Sequence, residues 1–171
     1  MTKRFRLLAC ALCPVVCALL TGCYSYSAPV LSVIKAEATE QTSDGCALLF
    51  TLDAWNKNED PLPLRTVEYR VDLNGQEVFT GTRSAEATLR RLGSQQLHLP
   101  AVMPLNDRTR GLAQGVAKYR LSGSIYYVTP GRLAEFLFDA GLRTPSASFT
   151  FDGEVDLAAA QVTPTAQAAQ P

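Results

Sequence analysis

Val67-Glu68-Tyr69-Arg70-Val71-Asp72-Leu73-Asn74-Gly75 is the stretch on which the fold turns. Val67, Tyr69, Val71 and Leu73 alternate with Glu68, Arg70 and Asp72. A two-residue period puts the apolar set on one face of a strand and the charged set on the other. Asn74-Gly75 follows at once, and the chain resumes with Val78 and Thr80. A tight type I′ turn needs positive φ at both central residues, which Asn and Gly adopt most readily. The stretch therefore predicts a β-hairpin.

The same alternation recurs on both sides. Leu48, Phe50 and Leu52 precede Trp55, and Leu97 and Leu99 bracket His98 before Pro100, which marks a strand end or an edge. Tyr119, Leu121, Ile125 and Tyr127 alternate around Gly123, and Phe149, Phe151, Val155 and Leu157 around Gly153. Leu31 to Glu40 and Leu133 to Phe138 are weaker strand candidates. Leu105, Leu112 and Val116 stand at helical spacing, but Gly111 and Gly115 weaken that segment, leaving a short helix or an irregular loop. No β-α-β alternation occurs. About seven strands within residues 30–157 predict an all-β, antiparallel sandwich of immunoglobulin or fibronectin-III-like architecture. Val67, Tyr69, Val71 and Leu73 are expected to face inward against Leu48, Phe50 and Leu52. The immunoglobulin cysteine–tryptophan–cysteine signature is missing, so the likeness is one of architecture alone.

The 171 residues suit one domain with appendages. Apolar residues form 47% and charged ones 19%, enough for a packed core. Lys3, Arg4 and Arg6 open the chain, and no acid occurs in the first 22 residues; the remainder carries 13 basic against 16 acidic residues, a net charge of −3. That balance lacks the basic footprint of a nucleic-acid binder.

The opening segment reads as a targeting signal. A basic start leads into an apolar run from Leu7 to Leu20, too short for a spanning helix, which needs about 20 residues. The run ends in Leu20-Thr21-Gly22-Cys23, which resembles the bacterial lipobox: small residues, then a cysteine that takes a diacylglyceryl group and becomes the first residue of the mature chain. The expectation is a signal peptide over residues 1–22, a lipidated (palmitate-bearing) Cys23 and a mobile tether over residues 23–29. Tyr24 is not the aspartate that marks inner-membrane retention in many Gram-negative lipoproteins, which points to the outer membrane, facing the periplasm. Residues 158–171, rich in Ala, Gln, Thr and Pro, are expected to form a disordered tail.

Of five cysteines, Cys10, Cys13 and Cys17 belong to the signal and Cys23 to the lipid, so Cys46 has no disulfide partner. It is expected as a small buried residue at a strand start.

A family resemblance follows from the middle of the chain. Thr51-Leu52-Asp53-Ala54-Trp55-Asn56-Lys57-Asn58, then Pro61-Leu62-Pro63-Leu64, then the stretch from Val67 to Gly75, resembles the WHy domain (water stress and hypersensitive response) of type 2 late-embryogenesis-abundant, desiccation-related proteins. Thr88-Leu89, Leu97-His98-Leu99-Pro100 and Tyr119-Arg120-Leu121-Ser122-Gly123 resemble its later strands, so the likeness spans about Pro29 to Leu157. The family usually shows Asn-Pro-Asn where this chain has Asn56-Lys57-Asn58; both asparagines still suit a turn. The resemblance implies a folded fibronectin-like sandwich linked with stress protection, and no catalytic residue.

The chemistry-bearing residues are sparse. His98 is the single histidine, and between Leu97 and Leu99 it is expected on the solvent face, with no Cys or second His to complete a zinc site. No Gly-x-Ser-x-Gly elbow or phosphate loop occurs. Glu59 and Asp60 precede Pro61, while Glu68 and Asp72 share a strand face with Arg70 between them, the pattern of a solvated, charge-mixed face. Trp55, Tyr126 and Tyr127 have the chemistry to line a binding surface, but core packing or strand-end capping of the sandwich is the preferred reading. The resulting expectation has no catalytic, cofactor-binding or metal-binding residue and no small-molecule substrate. It is a lipid-anchored envelope protein that protects clients or membrane by non-catalytic binding. The alternative is an envelope adaptor that holds one protein partner by strand addition.

Overall fold

The computed structural model describes residues 26–113 and 115–162. The elements run β1 (Val30–Gln41), β2 (Gly45–Trp55), β3 (Leu62–Leu73), β4 (Gln76–Ser84), β5 (Thr88–Leu89), β6 (Ser94–Pro104), β7 (Val116–Tyr127), α1 (Arg132–Asp139), β8 (Ser146–Asp156) and β9 (Gln161–Val162). Seven strands are long, as expected, and β5 and β9 have two residues each. One sheet has the order β6-β2-β1-β9 and the other β4-β3-β7-β8, with β5 on the start of β3. The long strands pair antiparallel, and β9 runs parallel to the end of β1. At the two sides of the sandwich β1 lies against β8 and β4 against β6.

The predicted hairpin and its register hold. β3 and β4 join through Asn74 (φ 49°) and Gly75 (φ 83°), the two positive values a type I′ turn requires. Val67, Tyr69, Val71 and Leu73 are buried, facing Leu48, Phe50 and Leu52, while Glu68 and Arg70 are exposed and Asp72 is half-buried. Leu97, Leu99, Ala101 and Met103 complete one inner face, and Tyr119, Leu121, Ile125 and Tyr127 extend the other. Each fully buried Leu, Val or Phe contributes roughly 1.5–3 kcal/mol relative to exposure, which makes the alternation the main determinant of the fold. β6 runs through Pro100 to Pro104 at the edge of its sheet, so Pro100 marks an edge rather than an end.

Several expectations are corrected. Leu133 to Phe138 is not a strand but the body of α1, which ends in a Schellman motif: Leu142 N–H donates to the Leu137 carbonyl and Gly141 N–H (φ 68°) to that of Phe138. A short apolar run does not distinguish strand from helix; the stop at Gly141 does. Between β6 and β7 the chain forms turns around Asn106 and Thr109, so the irregular-loop alternative is the right one. Trp55 closes β2 and is 44% exposed; it is at a strand end and outside the core. The expected mobile tether is docked from Tyr26 onward, and Pro29 is buried. Past Leu157, Ala160 still packs in the core and Gln161–Val162 pairs with Glu40 and Gln41, so order extends into the segment expected as a tail. The segment expected as a signal, Cys23 and residues 163–171 lie outside the described residues.

The topology sorts the connections into two ends. Val30, Trp55 and Ser94 are level with one another across the first sheet. The loop from Asn56 to Pro61 then carries the chain directly to Leu62 at the start of β3. Leu64 is level with Tyr127 and Tyr126 with Ser146, so the β7-α1-β8 connection leaves from that same end. The Asn74-Gly75 turn, the β1–β2 turn and the β6–β7 loop occupy the opposite end.

Candidate functional site

The densest polar arrangement sits where the amino-terminal segment meets the β2–β3 loop. Asn56 is fully buried, and its side-chain amide donates to the carbonyls of Asp60 (2.8 Å) and Arg90 (3.1 Å). Its side-chain oxygen accepts from the Asn58 backbone N–H (3.0 Å) and from Asn58 Nδ2 (2.7 Å). Asn58, buried as well, then clamps Ser27 from both sides: its Oδ1 accepts from Ser27 N–H at 2.9 Å, and its Nδ2 donates to the Ser27 carbonyl at 2.9 Å. Tyr26 hydroxyl donates to Asp60 Oδ2 at 2.5 Å. Leu92 N–H donates to the Asn58 carbonyl and Asn56 N–H donates to the Gly93 carbonyl, so three segments meet on two asparagines. An asparagine side chain carries both donor and acceptor and can imitate a strand partner for a passing peptide. The Asn-x-Asn pattern thus works as a latch that fixes the amino-terminal segment to the fold.

The other residues singled out by sequence fall elsewhere. Cys23 lies outside the described residues. His98 is exposed on the outer face of β6, its Nδ1 3.3 Å from Thr51 Oγ1 on β2. Cys46 is fully buried at the start of β2, unpaired, and burial pushes its thiol pKa above the ordinary value. That raises the cost of the reactive thiolate. Glu68, Arg70 and Asp72 do share one face, but Arg70 pairs across the hairpin with Glu77 at 3.0 Å and not with its neighbours along the strand. Arg120 likewise meets Asp152 at 2.7 Å, and both pairs are exposed. Exposed pairs of this kind contribute at most about 1 kcal/mol. Tyr126 is half-buried beside Glu68, whose carboxylate is the chief cause of its raised pKa, and Tyr127 is buried. Among the described residues no three His, Cys, Asp or Glu side chains converge on a point that would hold a metal ion.

The outward surface of β4-β3-β7-β8 carries an open hollow of about 630 Å³ whose polar lining includes Glu68, Arg70, Glu77, Thr80, Ser122 and Ser148. It is a hydroxyl-rich, charge-compensated surface, in which Thr80 donates its hydroxyl to the Glu77 carboxylate at 3.1 Å.

Sequence reasoning missed the latch and the helix. The latch joins residues 31 apart through side-chain-to-backbone bonds, which leave no periodic trace. For α1 a signal existed: Leu133, Phe136 and Leu137 stand at helical spacing before Gly141.

Comparison with known proteins agrees with this architecture. The family model described as Late embryogenesis abundant protein, of LEA type 2, matches residues 51–144. The chain belongs to that family. Among curated proteins none matches it. Of solved structures, one similar to it is the solution structure of an Arabidopsis thaliana protein, 17% identical, with a TM-score of 0.59 over 82% of this chain and 85% of that one. A second is the solution structure of a candidate late embryogenesis abundant (LEA) protein, 13% identical, with a TM-score of 0.57 over 91% of this chain and 86% of the other. At such identities the likeness is one of fold.

Proposed function

We propose that the chain is a lipid-anchored protein of the bacterial envelope which protects neighbouring proteins or membrane under water loss, by non-catalytic contact. Membership of the late embryogenesis abundant type 2 family supports the stress-related class. The anchor rests on Lys3, Arg4 and Arg6, the apolar run and Leu20-Thr21-Gly22-Cys23, with Cys23 the lipidated residue and the outer membrane, on its periplasmic face, the destination. The latch is the observation that carries this reading furthest. A chain entering from a membrane anchor is gripped at Tyr26 and Ser27, so the sandwich hangs from its anchor at a defined end.

Two measurements test it. Fractionation of cells expressing Cys23→Ser reads the anchor: unchanged membrane association would sink it. Activity of a drying-sensitive enzyme, dried with the full chain or with an equal mass of an unrelated β-sandwich, reads protection. Equal recovery in the two would remove the protective role.

The adaptor reading meets a physical obstacle at the edges of the first sheet. β6 carries Pro100 and Pro104, and β1 has irregular register at Val33–Lys35 and at Ala38–Glu40, with Lys35 and Glu37 paired on it. Prolines, bulges and charges are the devices that block pairing with an added strand.

A further inference from the structure

Exposed apolar side chains are not scattered over the surface. Of the nine large hydrophobic residues exposed among the described ones, six stand at the latch end: Val30, Trp55, Leu92, Leu133, Phe136 and Leu142. Val30, Trp55 and Leu92 line one recess there. Leu133 and Phe136 lie on α1, which has no buried residue at all, and Leu142 follows its cap. A helix in water with an unburied apolar face is normally explained by something that covers it. Leu92 is also held at φ 48°, a conformation that a bulky side chain rarely adopts, while its N–H is tied to the Asn58 carbonyl. The backbone is thus constrained to present Leu92 outward, 58% exposed.

We propose that this end of the sandwich is a membrane-seating surface, which lies in the headgroup interface with Trp55, Leu92 and the α1 face of Leu133 and Phe136 dipped into it. The proposal rests on the reading of Cys23 as the lipidated residue. Tyr26, the first described residue and already bonded to Asp60, is three residues from Cys23. Three extended residues reach at most about 10 Å. The latch therefore leaves this end, and no other, beside the bilayer. The chemistry of the surface suits headgroups. Tryptophan favours the interface, where the ring is half in hydrocarbon, and Lys57 Nζ stands 5.2 Å from the Trp55 ring centroid. Arg90 and Arg91 are exposed in the turn that presents Leu92, next to the apolar set, where they would meet anionic lipid. An amphipathic helix laid in the interface buries its apolar face by about 5–10 Å without crossing. A membrane-seated end would leave the opposite end and the sheet faces free to meet clients.

Trp55 is the single tryptophan, so its emission reports on this surface alone. The lipid-processed full chain is reconstituted into phosphatidylethanolamine–phosphatidylglycerol vesicles, with and without bromine on the acyl chains. Trp55 emission is expected to shift to the blue on reconstitution and to lose most of its intensity on brominated lipid. Leu133→Asp with Phe136→Asp changes only exposed side chains; this variant is expected to melt and float with vesicles like the wild type, yet to retain most of its emission. A wild type that floats with unquenched, water-like Trp55 overturns the seating surface and leaves the anchor standing. A wild type that does not float overturns both. Equal quenching in the double variant also overturns the proposal, because α1 would then not be seated. So does a concentration-dependent blue shift of the Cys23→Ser chain without lipid, which would mean that a second copy covers the surface.

Discussion

Two asparagines show how much one side chain can organise. Asn56→Ala removes the donors to the part-buried Asp60 and Arg90 carbonyls and the acceptor for two buried Asn58 N–H groups. Leaving buried polar groups unpaired costs about 1–3 kcal/mol apiece, so Asn56→Ala should lower stability by several kcal/mol. Asn58→Ala should cost less, about 1–3 kcal/mol, because the Ser27 groups it frees can reach water. It should also release Ser27 to fast amide exchange, which separates loss of the latch from loss of the fold. Denaturant melts with hydrogen exchange would show both, and normal protection at Ser27 in Asn58→Ala would contradict the latch. The sequence marked these asparagines as turn residues, and so they are; their long-range grip is invisible to it, since Ser27 carries no pattern of its own. Register is the opposite case. Val71 is fully buried and Asp72 half-buried, as the alternation requires. Val71→Asp should therefore unfold a marginal domain, whereas Asp72→Ala should leave the melt within about 0.5 kcal/mol of wild type. The reverse order would place the register off by one residue.

At the level of elements, the strands were legible wherever alternation was long and uninterrupted, and the glycines within them were not. A Cβ on Gly123 would lie 2.2 Å from the Glu68 carbonyl oxygen and 2.8 Å from the Phe149 ring, whereas at Gly153 its nearest neighbours would be the Tyr119 hydroxyl at 2.6 Å and ring at 2.7 Å. Backbone of a paired strand cannot withdraw without breaking the ladder, but a ring can rotate. Gly123→Ala should thus destabilise by about 1–3 kcal/mol and Gly153→Ala by less, read from paired chemical denaturation curves. Equal costs would mean that β3 and β7 shift apart easily. Gly123, which ends the stretch Tyr119-Arg120-Leu121-Ser122-Gly123, is accordingly a close-approach residue. It was quoted from the sequence as a motif, but its cause lies in a contact with β3. α1 was misread because its apolar run is short enough to pass for a strand, although Leu133, Phe136 and Leu137 stand at helical spacing before Gly141.

For the molecule as a whole, the two sheets are joined by aromatic residues whose chemistry gives a pH test. Tyr69 on β3 donates its hydroxyl to the Pro100 carbonyl on β6, and Tyr119 on β7 meets Phe50 on β2 edge-on at 5.2 Å. Burial raises the pKa of Tyr69, Tyr119 and Tyr127 above the ordinary 10.0; for Tyr69 and Tyr127 the nearby Arg83 and Arg143 oppose the shift, and for Tyr119 Asp152 adds to it. A raised folded pKa means that the folded state holds the phenol proton more tightly than the unfolded chain does. The stability this represents is complete below the unfolded value, about 10, and is lost as pH rises through it towards the folded values. The buried Cys46 thiol, raised from 9.0, acts in the same sense and begins somewhat lower. Folding free energy should therefore hold steady with respect to these groups at neutral pH and fall steeply above roughly pH 10. Tyr69→Phe removes one titrating group together with its bond to Pro100. It should cost about 0.5–1.5 kcal/mol at neutral pH yet flatten the alkaline decline. Denaturant melts across the alkaline range, with phenolate absorbance followed in parallel, decide the matter. An alkaline decline as steep in Tyr69→Phe as in the wild type would mean that the sheets are not held by the neutral phenol of Tyr69.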